Sequence, residues 1–327
     1  DIFNEKDAIM KRFLFFVFLI LFSYKLMHIP SSIDSDVGRL PILHDGRVKP
    51  LDSLARHELL KIQGRLKLEN SSSPVNWYFN LLTSPTFGSN LDIILVEHPK
   101  LFDSIDSQFL KQKYRVSEQF LDKHIEIIIP FIKTANEIEK EERTPIQQAS
   151  FLLSQRYSTY KNIRQSFFPT LNNSPLYFWN EMISLTQSLD EKNIESSPDF
   201  LQFLSLYNQL SQFESNLYFV FGPSWKTLPQ SALDPSQSHG MLLSNYLLLA
   251  DAYQDGNELK VHGYSTDILD AFKSFSLSQF LIVQLEYVFN VINPFIVSLF
   301  LYLLVVLLVF LSRFFGLNYG QVLIKDA

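Results

Sequence analysis

The sequence predicts a mostly α-helical membrane protein: an α-rich exported domain with a possible small β element, between two transmembrane helices. The chain has 327 residues, 46% of them hydrophobic and 19% charged, which is enough for a large buried core. Its 30 Phe and 14 Tyr against 10 Gly favour helical packing over a glycine-turned β-sandwich. Two long apolar segments, one near each end, predict the membrane attachment.

Composition also excludes several classes of function. A net charge of −6 provides no basic surface for nucleic acid, so no nucleic-acid partner is predicted. Because the chain has no cysteine, disulfides, thiol catalysis and cysteine-ligated metals are excluded. The seven histidines are scattered without the paired spacing of zinc sites, and no GxSxG or SxxK motif is present. We therefore predict no metal site and no catalytic residue in this chain.

The apolar segments and their flanking charges predict the topology. Residues 13–29 are predicted as a transmembrane helix or signal anchor, since no small-residue cleavage site follows that would mark a secretory signal. Residues 289–312 are predicted as a second transmembrane helix. Cations precede the first segment and follow the second, so residues 1–12 and 313–327 are predicted to be cytoplasmic. Residues 30–288 then form the exported domain.

The elements of this domain follow from apolar spacing and helix-end signals. Asp52 or Ser53 is predicted to cap a helix that runs to about Arg65, with Gly64 ending it. A strand is predicted over 91–97, and a helix over 117–134 that Pro130 must kink or end. Further helices are predicted over 145–168, 174–189, 200–213, 238–251, 266–275 and 281–290, with a polar loop over 190–198 and a strand-like segment over 216–221.

The most informative segment of the sequence is Leu40 to Arg56, LPILHDGRVKPLDSLAR, which predicts a turn that leads into a helix. Asp45 and Gly46 predict a turn in which the glycine takes a positive φ, and Pro50 fixes φ before the helix. The motif residues with an interaction or structural role are Asp45, Gly46, Arg47, Lys49, Pro50 and Asp52. Arg47 can pair with Asp45 or Asp52, or bind a carboxylate on a partner, and the residues alone leave both roles open.

This segment resembles a signature of the fused system II cytochrome c biogenesis proteins, the ResB/CcsA type of cytochrome c synthetase. Two more landmarks are similar to that family: KYRVS over 113–117, ahead of a helix, and LEYVFNVINPF over 285–295, at the entry to a span. The three landmarks extend over nearly the whole exported domain. The resemblance places the chain in a bacterial inner (cytoplasmic) membrane, with both termini cytoplasmic and the main domain periplasmic.

The resemblance implies a membrane complex that exports haem and attaches it to apocytochrome c. Its implied partners are a multi-span haem-handling core, apocytochrome c and the lipid bilayer, and its implied cofactor is haem. The tryptophan-rich core would follow the second span, where only a short tail remains, so we expect a fragment or a split product that supplies the exported domain and two spans. Any synthetase (haem lyase) catalysis would then reside outside this chain.

Two histidines are candidate haem ligands. His28 lies at the outer end of the first apolar segment, where an imidazole can meet an amphipathic ligand, and His44 lies in the motif. An interfacial polar residue and a turn residue are the simpler interpretations of the two. The alternative function is a membrane-tethered extracytoplasmic assembly scaffold, or a sensor domain unrelated to haem. A multi-span, tryptophan-rich segment encoded downstream would favour the haem interpretation.

Overall fold

The computed structural model describes residues 32–68, 72–84, 86–102, 114–167, 217–222, 224–232 and 237–314, with a few isolated positions between 184 and 208. These residues fall in two compact units, Ser32–Gln284 and a second unit that begins at Leu285. Helices dominate, which confirms the mostly α prediction. The first predicted span, the predicted helix over 174–189, the 190–198 loop and most of the helix over 200–213 lie outside the described residues.

The first unit begins with a short helix, a hairpin and a pair of packed helices. These are α1 (Ile33–Gly38), β1 (Pro41–His44), β2 (Arg47–Pro50), α2 (Leu51–Gln63) and α3 (Pro74–Thr83). The hairpin is antiparallel, with His44 opposite Arg47. Asp45 and Gly46 have φ of 51° and 73°, the pair of positive values that a two-residue hairpin turn requires. The predicted turn is therefore confirmed, with Asp45 adopting the left-handed region as well.

Helix α2 carries the predicted apolar face but begins differently from the prediction. Its inward residues are buried, and Gly64 ends it at φ 75°. The predicted cap at Asp52 or Ser53 is wrong, because Pro50 is the N-cap residue and no side chain caps this end. Asp52 lies inside the helix and accepts a hydrogen bond of 2.8 Å from Arg56 Nε, one turn away. Pro50 has an extended ψ of 148°, so the helix begins at Leu51 and Asp52 falls in its first turn, where a negative charge interacts favourably with the helix dipole.

The middle of the unit is a helix pair preceded by a second hairpin-like contact. Strands β3 (Ile94–Leu95) and β4 (Arg115–Val116) pair, so the predicted strand over 91–97 is shorter than expected. Helix α4 (Glu118–Asn136) continues past Pro130, and Ser117 caps it by accepting from Phe120 N at 3.2 Å. Helix α5 (Pro145–Gln165) packs against α4 and begins with a capping box of Thr144 and Gln147.

The last part of the unit contains two isolated β-bridges and four helices, and it contributes aromatic side chains to the core. Val220 bridges to Lys226, and Leu43 bridges to Tyr218, which adds a short contact to the first hairpin. Helices α6 (Leu228–Ala232), α7 (Gln237–Gln254), α8 (Glu258–Phe275) and α9 (Leu277–Ile292) follow. The largest fully buried aromatic side chains lie in α3, α5, α7 and α8, just after α5, and in the segment before α6: Trp77, Tyr78, Phe79, Tyr160, Phe167, Phe219, Tyr246 and Phe272.

The second unit contains the end of α9 and helix α10 (Pro294–Phe314). The predicted continuous helix over 289–312 is broken here, because Asn293 adopts φ 49° and Pro294 has no N–H to continue the ladder. Among the described residues, no single helix has the length and apolarity of a membrane span. One pair bent by 45°, Leu277–Ile292 with Pro294–Val306, meets those criteria together.

Candidate functional site

The predicted motif residues lie in the hairpin and at the start of α2. Gly46 and Arg47 are exposed at the turn, and Pro50 is buried at the junction with α2. Leu51 N donates to Leu40 O at 2.9 Å, which closes the hairpin onto the helix. Asp45 Oδ2 lies 3.1 Å from His44 Nδ1, and Lys49 Nζ lies 3.4 Å from the same nitrogen. The motif therefore forms one continuous unit of turn, strand and helix start.

The second landmark meets the other end of the same helix. Arg115 Nη2 donates to Gln63 O at 3.0 Å, and Arg156 Nε of α5 donates to Lys61 O at 3.0 Å. Carbonyls in the last turn of a helix have no partner within the helix, so these two arginines satisfy groups that would otherwise need water. Gly64 N donates to Leu60 O at 2.8 Å and completes this end. Helix α2 is thus fixed by the first landmark at its start and by the second at its end.

A polar cavity of about 170 Å³ opens where the hairpin turn, α2, α3 and α5 meet. Glu58 of α2 and Tyr78 of α3 line it, and both side chains are almost fully buried, at 4% and 0% exposed. Other polar lining residues are His44, Asp45, His57, Lys61, Thr159 and Asn162. This cavity brings His44 and Asp45 of the motif together with residues that the sequence analysis did not single out.

Two buried polar atoms in this cavity lack hydrogen-bond partners. They are Oε2 of Glu58 and the hydroxyl of Tyr78. His57 Nε2 lies 4.0 Å from the other carboxylate oxygen of Glu58, and Lys61 is a further cation in the lining of the cavity. Burial raises the pKa of the Glu58 carboxyl, and burial together with the nearby Glu58 raises the pKa of the Tyr78 phenol. Buried polar atoms are usually paired, so two unpaired atoms in one cavity mark a candidate binding site.

Sequence reasoning missed Glu58, although a signal was present. Leu54, Glu58 and Ile62 repeat every four residues along α2, so the carboxylate occupies a position on the apolar face. A charge on a core-facing stripe is the observation that would have flagged it. Tyr78 had no comparable signal, because a tyrosine between Trp77 and Phe79 is an ordinary core residue.

The cavity does not fit haem at His44. Pockets for drug-sized ligands enclose about 300–1,000 Å³, whereas this cavity encloses about 170 Å³ and is lined by charged and hydroxyl side chains. Burial lowers the pKa of the His44 imidazole, with Asp45 opposing that shift, and Nδ1 already faces Asp45 and Lys49. The other predicted ligand, His28, lies outside the described residues. Among the residues that are described, no group of three His, Asp or Glu side chains is arranged to hold a metal ion.

Comparisons with known proteins add no family assignment. No protein-family model and no curated protein matches this chain. The resemblance to system II cytochrome c biogenesis proteins therefore rests on the three sequence landmarks.

Proposed function

We propose that this chain is the exported portion of a system II cytochrome c biogenesis complex, which exports haem and attaches it to apocytochrome c. In this proposal the chain positions a multi-span haem-handling core in the bacterial inner membrane, and the main domain of the chain lies in the periplasm. The described domain acts as an assembly element and does not itself hold haem. Covalent attachment of haem is the work of the core.

One observation supports this role above the others: two sequence landmarks fix the two ends of helix α2. The first supplies the hairpin that leads into the helix, and the second supplies Arg115, which binds Gln63 O at 3.0 Å. Residues of both landmarks therefore belong to one structural unit around α2. A domain built around such a helix suits the positioning of a partner better than catalysis.

The apolar surface of the second unit supports attachment to a lipid bilayer. Along Pro294–Val306, large apolar side chains are exposed, among them Phe295 at 76%, Tyr302 at 73% and Val306 at 64%. Contiguous exposed apolar side chains of this kind are rare on monomeric proteins in water and mark protein or membrane contacts. Lipid is the partner that such a charge-free helix favours.

The test is cytochrome c maturation in a bacterium that supplies a tryptophan-rich multi-span core and a reporter apocytochrome. We expect covalent haem on the reporter only when the full chain is co-expressed, measured by haem staining of denaturing gels. Replacing Arg47 with Ala removes an exposed cation at the hairpin turn and should lower maturation severalfold at unchanged chain abundance. Lys123→Ala, at an exposed cation on α4, is the matched control and should mature the reporter normally.

Three results would count against these assignments in different ways. Full maturation without the chain would overturn the proposed function. Normal maturation and normal abundance of Arg47→Ala would remove the turn from the partner interface. Reduced abundance of that variant would assign Arg47 to stability.

A second candidate function is a membrane-tethered extracytoplasmic scaffold or sensor unrelated to haem. The observation that favours it is the polar cavity, because Glu58 and Tyr78 present unpaired polar atoms to a space of about 170 Å³. If the chain is dispensable for cytochrome c maturation, this candidate replaces the first.

A further inference from the structure

The cavity at Glu58 is built in a way that calls for a ligand. Glu58 Oε2 and the Tyr78 hydroxyl lie on different helices, are shielded from solvent and have no hydrogen-bond partner. Leaving a buried polar group unpaired costs about 1–3 kcal/mol, and more for a charge. Such a cost is offset when a bound group supplies the missing hydrogen bonds.

The charges of the cavity favour a cation. Glu58 is the buried charge of its lining, whereas Asp45 is exposed and already lies 3.1 Å from His44 Nδ1. Lys61 lies one turn along α2 from Glu58, yet the two side chains form no ion pair in this structure. A positive charge on a ligand would pair with the Glu58 carboxylate. Because the carboxylate is buried, that charge would be attracted more strongly than at the surface.

The hydrogen-bonding pattern favours an ammonium group. A primary ammonium has three N–H donors and no acceptor. The cavity offers the Glu58 carboxylate, the Tyr78 hydroxyl oxygen and the side-chain oxygens of Thr159 and Asn162 as acceptors. A metal ion is not suited to the site, since no three His, Asp or Glu side chains among the described residues converge as ligands. The small volume restricts the ligand to a few heavy atoms.

We propose that the cavity between α2, α3 and α5 binds a small organic amine, whose protonated amino group is held by Glu58 and Tyr78. Glu58 Oε2 accepts one N–H bond and neutralises the charge, and the Tyr78 hydroxyl accepts a second. This inference goes beyond the proposed role in cytochrome c assembly and does not depend on it. Loss of amine binding would leave the maturation experiment unaffected.

The experiment measures binding of methylammonium chloride to the purified full chain by calorimetry and by thermal unfolding. Sodium acetate, of similar size and opposite charge, is the control ligand. We expect saturable binding of methylammonium and a rise in melting temperature of about 5 °C at a concentration about 100 times Kd. Acetate should produce neither effect.

Matched variants assign the binding to the cavity. Glu58→Gln keeps the shape of the side chain and removes its charge, so binding should be abolished. Tyr78→Phe removes only the hydroxyl, so binding should weaken severalfold, and it serves as the test if Glu58→Gln fails to fold. Glu126→Gln, at an exposed position on α4, should bind methylammonium like the unaltered chain. Absence of methylammonium binding, equal binding by Glu58→Gln and Tyr78→Phe, or equal binding of acetate would overturn the proposal.

Discussion

Two buried glutamates in the same unit have similar exposure and opposite surroundings. Glu118, at the start of α4, is 3% exposed and forms an ion pair with Arg164 of α5, which is itself 5% exposed. Glu58, in α2, is 4% exposed, and its Oε2 has no partner. Burial raises the pKa of both carboxyl groups. Beside Glu118, however, the Arg164 guanidinium opposes the rise through both its charge and a hydrogen bond.

The difference separates a structural charge from a candidate binding group. Glu118 has a buried cation as its partner, and the helix N-terminus adds a favourable dipole. Its surroundings are complete without a ligand. Glu58 faces a cavity, and its cationic neighbours Lys61 and His57 lie farther from its carboxylate than Arg164 lies from that of Glu118. Burial alone therefore does not distinguish the two roles, whereas the presence of a partner does.

Breaking the Glu118 pair should have the largest effect on stability. Arg164→Met leaves the Glu118 carboxylate buried without its cation, and removing one member of a buried pair typically costs about 3–5 kcal/mol. We expect the free energy of unfolding to fall by about that amount, measured by urea denaturation of the full chain followed by far-UV circular dichroism.

Two controls isolate the buried pair. Arg164→Met combined with Glu118→Leu removes both charges and should recover most of the loss. Lys161→Ala breaks a 2.8 Å ion pair with Asp122 on the exposed side of the same two helices, and should cost at most about 1 kcal/mol. If Arg164→Met were no more costly than Lys161→Ala, the distinction between the two glutamates would lose its basis.

Arg156 should have the next largest effect, because it connects α5 to the end of the helix that carries Glu58. It donates to Lys61 O at 3.0 Å and to Leu95 O at 3.1 Å, and pairs with Glu97 at 2.5 Å. Arg156→Met leaves these carbonyls without a donor and should lower the free energy of unfolding by about 2–3 kcal/mol.

Hydrogen exchange shows whether the loss is local to α2. The amides of the last turn of α2 should exchange faster in Arg156→Met, whereas the neighbouring exposed substitution Gln155→Met should leave them unchanged. Unchanged exchange in both variants would mean that α2 keeps its position without the arginine.

The sequence predicted features that depend on near neighbours. The turn at Asp45 and Gly46 and the end of α2 at Gly64 each follow from residues within about four positions. The exception is the start of α2, where Asp52 is a residue type that often caps helices but instead accepts a hydrogen bond from Arg56 inside the helix. An aspartate near the start of a helix can either cap it or lie in its first turn. Here Pro50 is the N-cap residue, so Asp52 lies in the first turn.

The cavity could not be predicted because it depends on distant segments. Asn162 of α5 and Glu58 of α2 line the same cavity, although more than one hundred residues separate them in the sequence. No periodic pattern in the sequence predicts that these two residues lie close together. The charge on the apolar face of α2 was visible in the sequence, but whether a cation covers it is decided by packing. Glu118 shows the other outcome, since its partner Arg164 is also remote in sequence.

The smallest and most specific effect concerns the pH dependence of stability at Glu58. Its pKa is raised by burial above the ordinary value of 4.5, so the folded chain holds this proton more tightly than the unfolded chain does. Stability from this group is therefore fully present below the ordinary pKa and is lost as pH rises through the raised pKa. Relative to Glu58→Gln, the free energy of unfolding should increase on acidification through that window, by at most about 1.4 kcal/mol per pH unit.

The measurement is the free energy of unfolding as a function of pH, and subtracting the Glu58→Gln curve from that of the unaltered chain removes the contributions of Glu118 and His44, which are present in both proteins. Adding methylammonium provides a second test, because a cation bound at Glu58 favours the charged carboxylate and lowers its pKa. The difference curve should then flatten or reverse its slope. A flat curve without methylammonium would mean that Glu58 already has a charge partner in solution, and the contrast with Glu118 would disappear.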